Sequence, residues 1–198
     1  DAVVIAVGCY VETDPERVEK DQAIALVIGN NKKSRIGSIL KEYLQNRDAA
    51  LSNREDLTCS HAYEDMQLTD PGHTRAYIKI QDGCNQFCSY CIIPFARGRI
   101  RSRAEEEILR EVKALVEKGI REIVLTGIHV SSYGLDFGHE GPVPFDPVCS
   151  GKALLDLMTE LNAIEGLERI RLSSLEPRIM TEPFIAALSK LRKVCPHF

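Results

Sequence analysis

The sequence predicts an α/β protein in which the end of an N-terminal parallel, Rossmann-like domain is followed by the first half of a (β/α) barrel. Two observations lead to this prediction. Short, unbroken apolar runs alternate with segments whose apolar residues recur at helical spacing, which is typical of parallel strands joined by helices. The chain has 198 residues, and because a complete eight-stranded barrel needs about 250, at most half a barrel is expected.

Residues 1–46 are assigned to the C-terminal part of the first domain. Residues 3–7 and 24–28 form apolar runs that predict buried strands, each followed by a glycine. Ser34 is predicted to cap a helix, because apolar residues lie on one face of the segment that follows it. Residues 47–75 are polar and lack a periodic pattern, so they are interpreted as a linker between domains.

Residues 76–198 resume the alternation of strands and helices and are assigned to the N-terminal half of the barrel. Strands are predicted at residues 76–80, 123–126 and 170–173, and an amphipathic helix follows each of them. Val194 lies in a stretch that looks like the start of another strand. Three βα units and the beginning of a fourth are therefore expected.

Local patterns also predict where three further helices begin. Thr13 and Ser102 each precede a glutamate by three residues, Glu16 and Glu105, which is the pattern of a capping box. In this motif the hydroxyl and the glutamate each accept a hydrogen bond from a backbone N–H at the start of the helix. The last helix is expected to begin at Thr181.

Composition and charge exclude several functional classes. The chain is 44% hydrophobic and 27% charged, the balance of a globular protein. No apolar run approaches the roughly 20 residues that span a bilayer, so no membrane partner is expected. The formal net charge of −4 provides no overall electrostatic footprint for nucleic acid. Alternating arginines from Arg97 to Arg103 are an exception: they suit contacts to phosphate or carboxylate, or form an exposed charged segment before a helix.

Three of the seven cysteines form a glycine-flanked C-x₃-C-x₂-C motif at Cys84, Cys88 and Cys91. Three thiolates can hold three irons of a 4Fe–4S cluster and leave the fourth iron open to a small molecule. The motif follows the strand predicted at residues 76–80, and parallel α/β folds place their active sites at the ends of such strands. The motif therefore predicts an open iron–sulfur cluster.

Two other interpretations of the cysteines remain open at this point. A structural zinc site needs four ligands, usually in paired motifs, and the further candidates have no paired ligand nearby. These candidates are Cys59, His61, Cys149 and Cys195. Alternatively, the three motif cysteines are buried as small apolar side chains. The odd and scattered set does not fit a secreted disulfide framework, so a reducing, cytoplasmic setting is expected.

The motif and its surroundings resemble the radical S-adenosylmethionine (radical SAM) methylthiotransferase family, which inserts a methylthio group into tRNA adenosines or a ribosomal protein. The resemblance lies in residues 82–94, 97–98 and 102–103. Residues 125–134 are similar to the branch that acts on N6-threonylcarbamoyladenosine in tRNA. The resemblance implies a radical SAM barrel and an enzyme that adds a methylthio group at C2 of that nucleoside.

Two alternatives to this function remain open. In the first, the same chemistry acts on another tRNA adenosine or on a ribosomal protein. In the second, the chain is a zinc-binding module without catalytic activity. In the family's reaction a 5′-deoxyadenosyl radical derived from SAM abstracts hydrogen from the adenine. Half a barrel cannot shield such a radical from water. Since the chain also lacks an initiating methionine and reads as a fragment, it is expected to be inactive alone.

The resemblance also assigns roles to individual residues. Cys84, Cys88 and Cys91 would ligate the SAM-binding 4Fe–4S cluster. Tyr90, which stands between two of these ligands, would help to hold the adenine of SAM, or would pack beneath the cluster. Cys9 matches the last of three cysteines that hold an auxiliary 4Fe–4S cluster in the family, whose other two would lie upstream; a buried structural cysteine fits its position equally.

Four further residues would contact SAM where the second and third barrel strands end. Gly127 matches the position at which the family contacts the methionyl part of SAM. Ser173, Ser174 and Glu176 would hydrogen-bond polar groups of SAM, or would simply cap a strand end. His129 is interpreted as a satisfied loop histidine rather than a ligand.

The resemblance implies cofactors and partners as well. The cofactors are SAM and two 4Fe–4S clusters in the intact enzyme, of which this chain fully ligates one. The partners are a tRNA substrate and an electron donor such as a flavodoxin-type protein. No role is assigned to Cys59, Cys149 or Cys195.

Overall fold

A computed structural model describes most of the chain. The described residues are 2–47, 52–57, 63–66, 72, 74–139, 143 and 150–197. Contacts between residues divide the chain into two compact units, which are Asp1–Met66 with Gln86–Arg99 and Gln67–Asn85 with Ile100–Phe198. The predicted domain boundaries at residues 46 and 75 stay predictions. The units add one feature that the sequence does not suggest, because residues 86–99 pack with the N-terminal part of the chain.

Strands and helices alternate along the described residues. The strands are β1 (Ile5–Val7), β2 (Leu26–Ile28), β3 (Ser52–Asn53), β4 (Arg75–Asp82), β5 (Arg101–Ser102), β6 (Glu122–Gly127) and β7 (Arg169–Leu172). The α-helices are α1 (Cys9–Thr13), α2 (Pro15–Glu19), α3 (Ile36–Gln45), α4 (Ile93–Ala96), α5 (Glu105–Glu117), α6 (Lys152–Ala163) and α7 (Glu182–Leu188). Short 3₁₀ helices cover Asn30–Arg35, Val130–Ser132 and Pro177–Ile179. None of the described helices has the length and apolar character needed to cross a bilayer.

The first unit is built on a parallel sheet with the strand order β1–β2–β3. Side chains of β2 alternate between its two faces: Val27 packs with Val11 and Val18 on one side, whereas Leu26 and Ile28 pack with helix α3 on the other. Burial on both faces explains the unbroken apolar run that predicts this strand. Strand β3 lies within the segment interpreted as a linker, so part of that segment belongs to the sheet.

The second unit contains a sheet with the strand order β5–β4–β6–β7 in the described residues. Strands β4, β6 and β7 are parallel, whereas β5 runs antiparallel to the end of β4. Helices α5, α6 and α7 pack their apolar faces against the strands in one continuous core. An isolated parallel bridge joins Ile170 to Val194, at the position where another strand is predicted to start.

Of the four residues predicted to cap a helix, one does so. Ser34 does not, because its hydroxyl donates to the Glu64 carboxylate at 2.8 Å and helix α3 begins without a side-chain cap. Helix α7 begins after Thr181, whose hydroxyl accepts a hydrogen bond from the Phe184 N–H at 3.4 Å. The two capping boxes are wrong. Thr13 is the last residue of α1 and cannot cap the next helix. Ser102 lies in β5, where its hydroxyl accepts from the Gly134 N–H at 2.8 Å, so strand pairing takes precedence over capping.

Candidate iron–sulfur and cofactor site

Strand β4 leads directly into the cysteine motif. Its last residue, Asp82, accepts a hydrogen bond from the Gly83 N–H at 2.9 Å, and Gly83 has a φ of 72°, which suits a residue without a Cβ. Cys84 follows and is buried. Beyond it, the Asn85 side chain accepts from the Ile100 N–H at 3.1 Å. The backbone on both sides of Cys84 is therefore held within the second unit.

The other two cysteines of the motif belong to the first unit. The Cys91 N–H donates to the Cys88 carbonyl at 2.9 Å, so these residues close a tight turn. Phe87, just before the turn, has a left-handed φ of 46°, which is uncommon for a residue other than glycine. Cys88 is exposed and Cys91 is half-buried. The alternative in which all three motif cysteines are buried as apolar side chains is therefore wrong.

The donor chemistry of the motif fits an iron–sulfur cluster. Cys84, Cys88 and Cys91 carry thiols rather than disulfides, and thiolates are the ligands that hold such clusters. Among the described residues, no three His, Cys, Asp or Glu side chains stand together as a ready metal site. The three ligand roles therefore stay predictions that rest on the motif. The zinc candidates Cys59, His61 and Cys149 lie outside the described residues.

Tyr90 is 90% exposed, so its ring makes little contact with the rest of the chain. Nearby, the rings of Phe87 and Phe95 meet edge to face with centroids 5.6 Å apart, and the guanidinium of Arg99 lies 4.3 Å from the centroid of Phe87. These contacts give the turn an ordered aromatic neighbourhood. The exposed Tyr90 ring is available to a ligand, and its role in holding adenine stays a prediction.

Cys9 opens helix α1 directly after Gly8, whose φ is 107°. It is half-buried, which does not fit a buried structural cysteine. The side-chain nitrogen of Asn30 lies 4.0 Å from the Cys9 sulfur and donates to the carbonyl of Ala96, the last residue of α4, at 2.8 Å. The first unit therefore connects the segment that begins at Cys9 with the helix that follows Cys91. The cluster role of Cys9 stays a prediction.

Three of the predicted SAM contacts lie at or just beyond the ends of β6 and β7. Ser173 is half-buried and its N–H donates to the Leu125 carbonyl at 3.0 Å, whereas Ser174 is exposed. Gly127 is the last residue of β6. A Cβ at Gly127 would stand 2.9 Å from the side-chain oxygen of Gln81, so this position accepts no larger residue without movement.

The fourth predicted contact, Glu176, is already engaged by neighbouring side chains. Arg178 donates to both carboxylate oxygens, one of them at 2.8 Å, and the Nε2 atom of His129 lies 3.2 Å from the carboxylate. The hydrogen bond from Arg178 lowers the pKa of Glu176, and burial lowers the pKa of His129. At neutral pH this edge of the second unit therefore carries an ionised carboxylate beside a neutral imidazole.

Gln81 belongs to the same edge of the sheet, and the sequence did not single it out. Its side chain is fully buried. The amide nitrogen donates to the carbonyls of Asp82 at 2.9 Å and Gly83 at 2.7 Å, and the amide oxygen accepts from the His129 N–H at 2.8 Å. One feature of the sequence could have identified Gln81: it is an uncharged polar residue at the end of a strand whose central buried positions are apolar.

Arg101 and Arg103 are buried, so at these two positions the interpretation as an exposed charged segment is wrong, whereas the expected contact with carboxylate is present. Strand β5 pairs with the end of β4 and brings an Arg101 nitrogen within 3.7 Å of the Asp82 carboxylate. Arg103 forms an ion pair with Glu111 of helix α5. Both guanidinium groups face carboxylates inside the unit, so their role is structural and they do not form a phosphate-binding surface.

The class of this chain follows from two features. The second unit has parallel strands joined by helices, and the three-cysteine motif follows its first strand, β4. The chain belongs to the radical SAM superfamily, whose family model matches residues 78–197. This result confirms the radical SAM assignment made from the motif, and curated relatives narrow the likeness to methylthiotransferases.

Three of these relatives are tRNA-modifying enzymes by name. The threonylcarbamoyladenosine tRNA methylthiotransferase MtaB of Aquifex aeolicus is 38% identical over 198 residues, which cover 100% of this chain and 45% of the relative. MtaB of Bacillus subtilis is 34% identical, over 100% of this chain and 41% of the relative. The tRNA-2-methylthio-N(6)-dimethylallyladenosine synthase of Finegoldia magna is 34% identical, over 100% of this chain and 40% of the relative. The chain spans less than half the length of these relatives.

Solved structures support the predicted fold. The radical S-adenosylmethionine methyltransferase TsrM of Kitasatospora setae, with cobalamin and a 4Fe–4S cluster bound, matches with a TM-score of 0.60. The match covers 98% of this chain and 41% of TsrM at 16% sequence identity. At this identity the likeness concerns the fold alone, and it confirms the expected α/β architecture with part of a radical SAM barrel.

Proposed function

We propose that this chain is the cofactor-binding part of a tRNA methylthiotransferase that acts at C2 of N6-threonylcarbamoyladenosine. The observation that carries the proposal is the cysteine motif, because β4 delivers Cys84 at the carboxyl end of a parallel strand, where βα loops form active sites. Membership of the radical SAM superfamily supports the chemistry. Two of the relatives described above are named for this nucleoside.

Cys84, Cys88 and Cys91 would hold a 4Fe–4S cluster with one iron open to SAM. When bound, the cluster supplies the electron that cleaves the sulfonium of SAM. The part of the chain is to present thiolates, and residues 83–103 contain no acidic side chain that would oppose their negative charge. Hydrogen bonds at Gly83 and Asn85 fix the backbone on both sides of the first ligand.

Gly127, Ser173, Ser174 and Glu176 would contact SAM at the ends of β6 and β7. The ionised carboxylate of Glu176 offers hydrogen-bond acceptors to the amino and hydroxyl groups of SAM. The serine hydroxyls can both donate and accept. The exposed ring of Tyr90 would lie against the adenine. These residues bind and orient SAM, and none of them is proposed to transfer a proton.

Cys9 would be one ligand of a second 4Fe–4S cluster in the whole protein. The first unit contains Cys9 together with Cys88 and Cys91, and the Asn30 amide connects the helix that starts at Cys9 with helix α4. This connection supports a shared function of the two segments. The remaining ligands would come from the longer protein.

The proposed function also defines partners and a location. The substrate would be tRNA, and reduction of the cluster would need an electron donor such as a flavodoxin-type protein. Because tRNA modification takes place where tRNA is used, we propose a cytoplasmic location. A second candidate function, methylthiolation of dimethylallyladenosine in tRNA, is favoured by the relative from Finegoldia magna.

The cofactor part of the proposal is tested on the chain itself. Anaerobic reconstitution with iron and sulfide should give a brown protein that absorbs broadly near about 400 nm, as cysteine-ligated clusters do, and that binds SAM. A colourless protein that takes up zinc instead would overturn the enzyme assignment in favour of a zinc-binding module.

The substrate is tested in a protein of the relatives' length that carries this sequence. Three tRNAs should be compared by mass spectrometry, bearing threonylcarbamoyladenosine, dimethylallyladenosine or unmodified adenosine at the same site. Methylthio addition to the first alone is expected. Addition to the second alone would establish the second candidate function, and addition to neither would contradict both.

A further inference from the structure

The buried side chain of Gln81 lies where the pairing of β4 with β6 changes register. Lys79 is opposite Thr126, but Gln81 is opposite Gly127, so one residue of β4 is passed over. The regular ladder of backbone hydrogen bonds is therefore interrupted just before the cysteine motif. At such a break the two strand ends need another connection to stay fixed.

The primary amide of Gln81 makes this connection. Its nitrogen donates to the carbonyls of Asp82 and Gly83, and its oxygen accepts from the His129 N–H, at 2.7–2.9 Å. Both amide hydrogens and the amide oxygen are used. A carboxylate would lose both donors, and a thioether of similar length would lose all three bonds.

The close approach of Gly127 makes room for this side chain. A Cβ at Gly127 would stand 2.9 Å from the Gln81 side-chain oxygen and 3.1 Å from the Gln81 carbonyl oxygen. The glycine at the end of β6 and the glutamine in β4 therefore fit each other. Their contact brings the cysteine-bearing strand against the proposed SAM site at the end of β6.

The hydrogen bonds of Gln81 also orient the peptide that precedes Cys84. A trans peptide points its C=O and N–H in opposite directions. Because the Gly83 carbonyl is held toward Gln81, the Cys84 N–H points to the opposite side. The preceding peptide shows the same arrangement, since its Gly83 N–H donates to the Asp82 side chain. Hydrogen bonds near the sulfur ligands are among the features that tune an iron–sulfur cluster.

We propose that Gln81 is a positioning residue for the radical SAM reaction. It holds the two peptides before Cys84 to the backbone of His129, and so sets how the first cluster ligand faces the SAM site at the end of β6. This inference deepens the function proposed above and rests on it. Its amide is bonded to backbone groups, so Gln81 would act through the peptides before Cys84.

The test uses the anaerobically reconstituted chain and two variants. Gln81→Met has a similar length but no amide, and Gln81→Glu keeps only the acceptor for His129. The matched control is Gln45→Met, at an exposed position of α3. Iron content and melting temperature report on folding. The dissociation constant for SAM and the EPR spectrum of the reduced cluster with and without SAM report on positioning.

Gln81→Met should retain the iron of the wild type but bind SAM about tenfold more weakly, the scale at which outer partners of a metal site act, and SAM should change its EPR spectrum less. Gln45→Met should match the wild type. Wild-type SAM affinity and spectra in Gln81→Met would overturn the inference. If Gln81→Met loses its iron, the same measurements on Gln81→Glu decide: weaker SAM binding at wild-type iron content supports the inference, and wild-type SAM affinity overturns it. Loss of fold in both variants would overturn a positioning role. A wild-type chain without a cluster would refute the proposed function instead.

Discussion

The side-chain amide of Asn30 donates a hydrogen bond to the carbonyl of Ala96 at 2.8 Å, although 66 positions separate the two residues. Both are buried, and the same nitrogen lies 4.0 Å from the sulfur of Cys9. The bond therefore anchors helix α4, just after the cysteine motif, to the segment that carries the proposed auxiliary ligand.

Replacing Asn30 by alanine should loosen this anchor. The Ala96 carbonyl would lose its donor in a buried setting, which costs about 1–3 kcal/mol. We expect the free energy of unfolding, measured by urea denaturation, to fall by about 2 kcal/mol. Lys41→Ala, on the exposed side of α3, is the control and should change little. An unchanged unfolding curve for Asn30→Ala would show that the anchor contributes no stability.

The carboxylate of Glu122 should make stability depend on pH. It accepts hydrogen bonds from Arg169 and Arg171, both at 2.7 Å, and these bonds lower the pKa of Glu122 to about 2. Because the pKa is lower in the folded than in the unfolded chain, the stabilisation is complete above the ordinary pKa of 4.5 and is lost as the pH falls toward 2.

Glu122→Gln should therefore lower the free energy of unfolding at pH 7 by about 2 kcal/mol. The variant should also lose less stability than the wild type when the pH falls from 5 to 2. Glu168→Gln is the control, because Glu168 is more exposed and lies 3.4 Å from Arg169. Urea denaturation across this pH range measures both effects. A Glu122→Gln variant with the full acid sensitivity of the wild type would contradict the assigned pKa.

Two glycines with nearly the same φ angle should respond differently to alanine. Gly134 has a φ of 80° and Gly138 a φ of 78°. A Cβ at Gly134 would lie 2.3 Å from the Cβ of Ala153, whereas a Cβ at Gly138 would meet nothing within 4 Å. Gly138→Ala therefore measures backbone strain alone, about 1–2 kcal/mol. Gly134→Ala should cost about 1–3 kcal/mol more because of overpacking. Equal melting temperatures would contradict the packing of α6 described here.

Substitution of Arg103 should lower the stability of the fold and leave the affinity for tRNA unchanged. Replacing it by alanine leaves Glu111 buried without its arginine, which costs about 3–5 kcal/mol. Exchanging both residues for apolar ones, in Arg103→Met with Glu111→Leu, should restore most of that loss. Urea denaturation measures the effect. If Arg103→Ala left stability unchanged but reduced the salt dependence of tRNA binding, the structural role would be wrong.

The sequence predicted those features that depend on local pattern. The apolar run at residues 123–126 identified β6 because parallel strands are buried on both faces. The cysteine motif could be found because its spacing is independent of the fold. The cap at Thr181 was predicted correctly because its hydroxyl bonds within the first turn of α7, to the Phe184 N–H three residues later.

Features that depend on neighbouring elements could not be predicted. Arg101 and Arg103 look like a solvated face until β5 pairs with β4 and buries them. The positioning role proposed for Gln81 requires the end of β6 beside it, which no local pattern shows. The packing of residues 86–99 within the first unit brings together residues that are far apart in the chain, such as Asn30 and Ala96, whose hydrogen bond no local pattern shows.

The most direct test of the account is the iron content of the reconstituted chain and its cysteine variants. The wild type and Cys195→Ala should each hold about four irons per chain, whereas the triple variant Cys84→Ala, Cys88→Ala, Cys91→Ala should hold almost none. Cys195 is the matched control because it is half-buried and lies outside the motif. A triple variant that keeps the cluster, or a wild type that binds zinc and no iron, would contradict three-thiolate ligation.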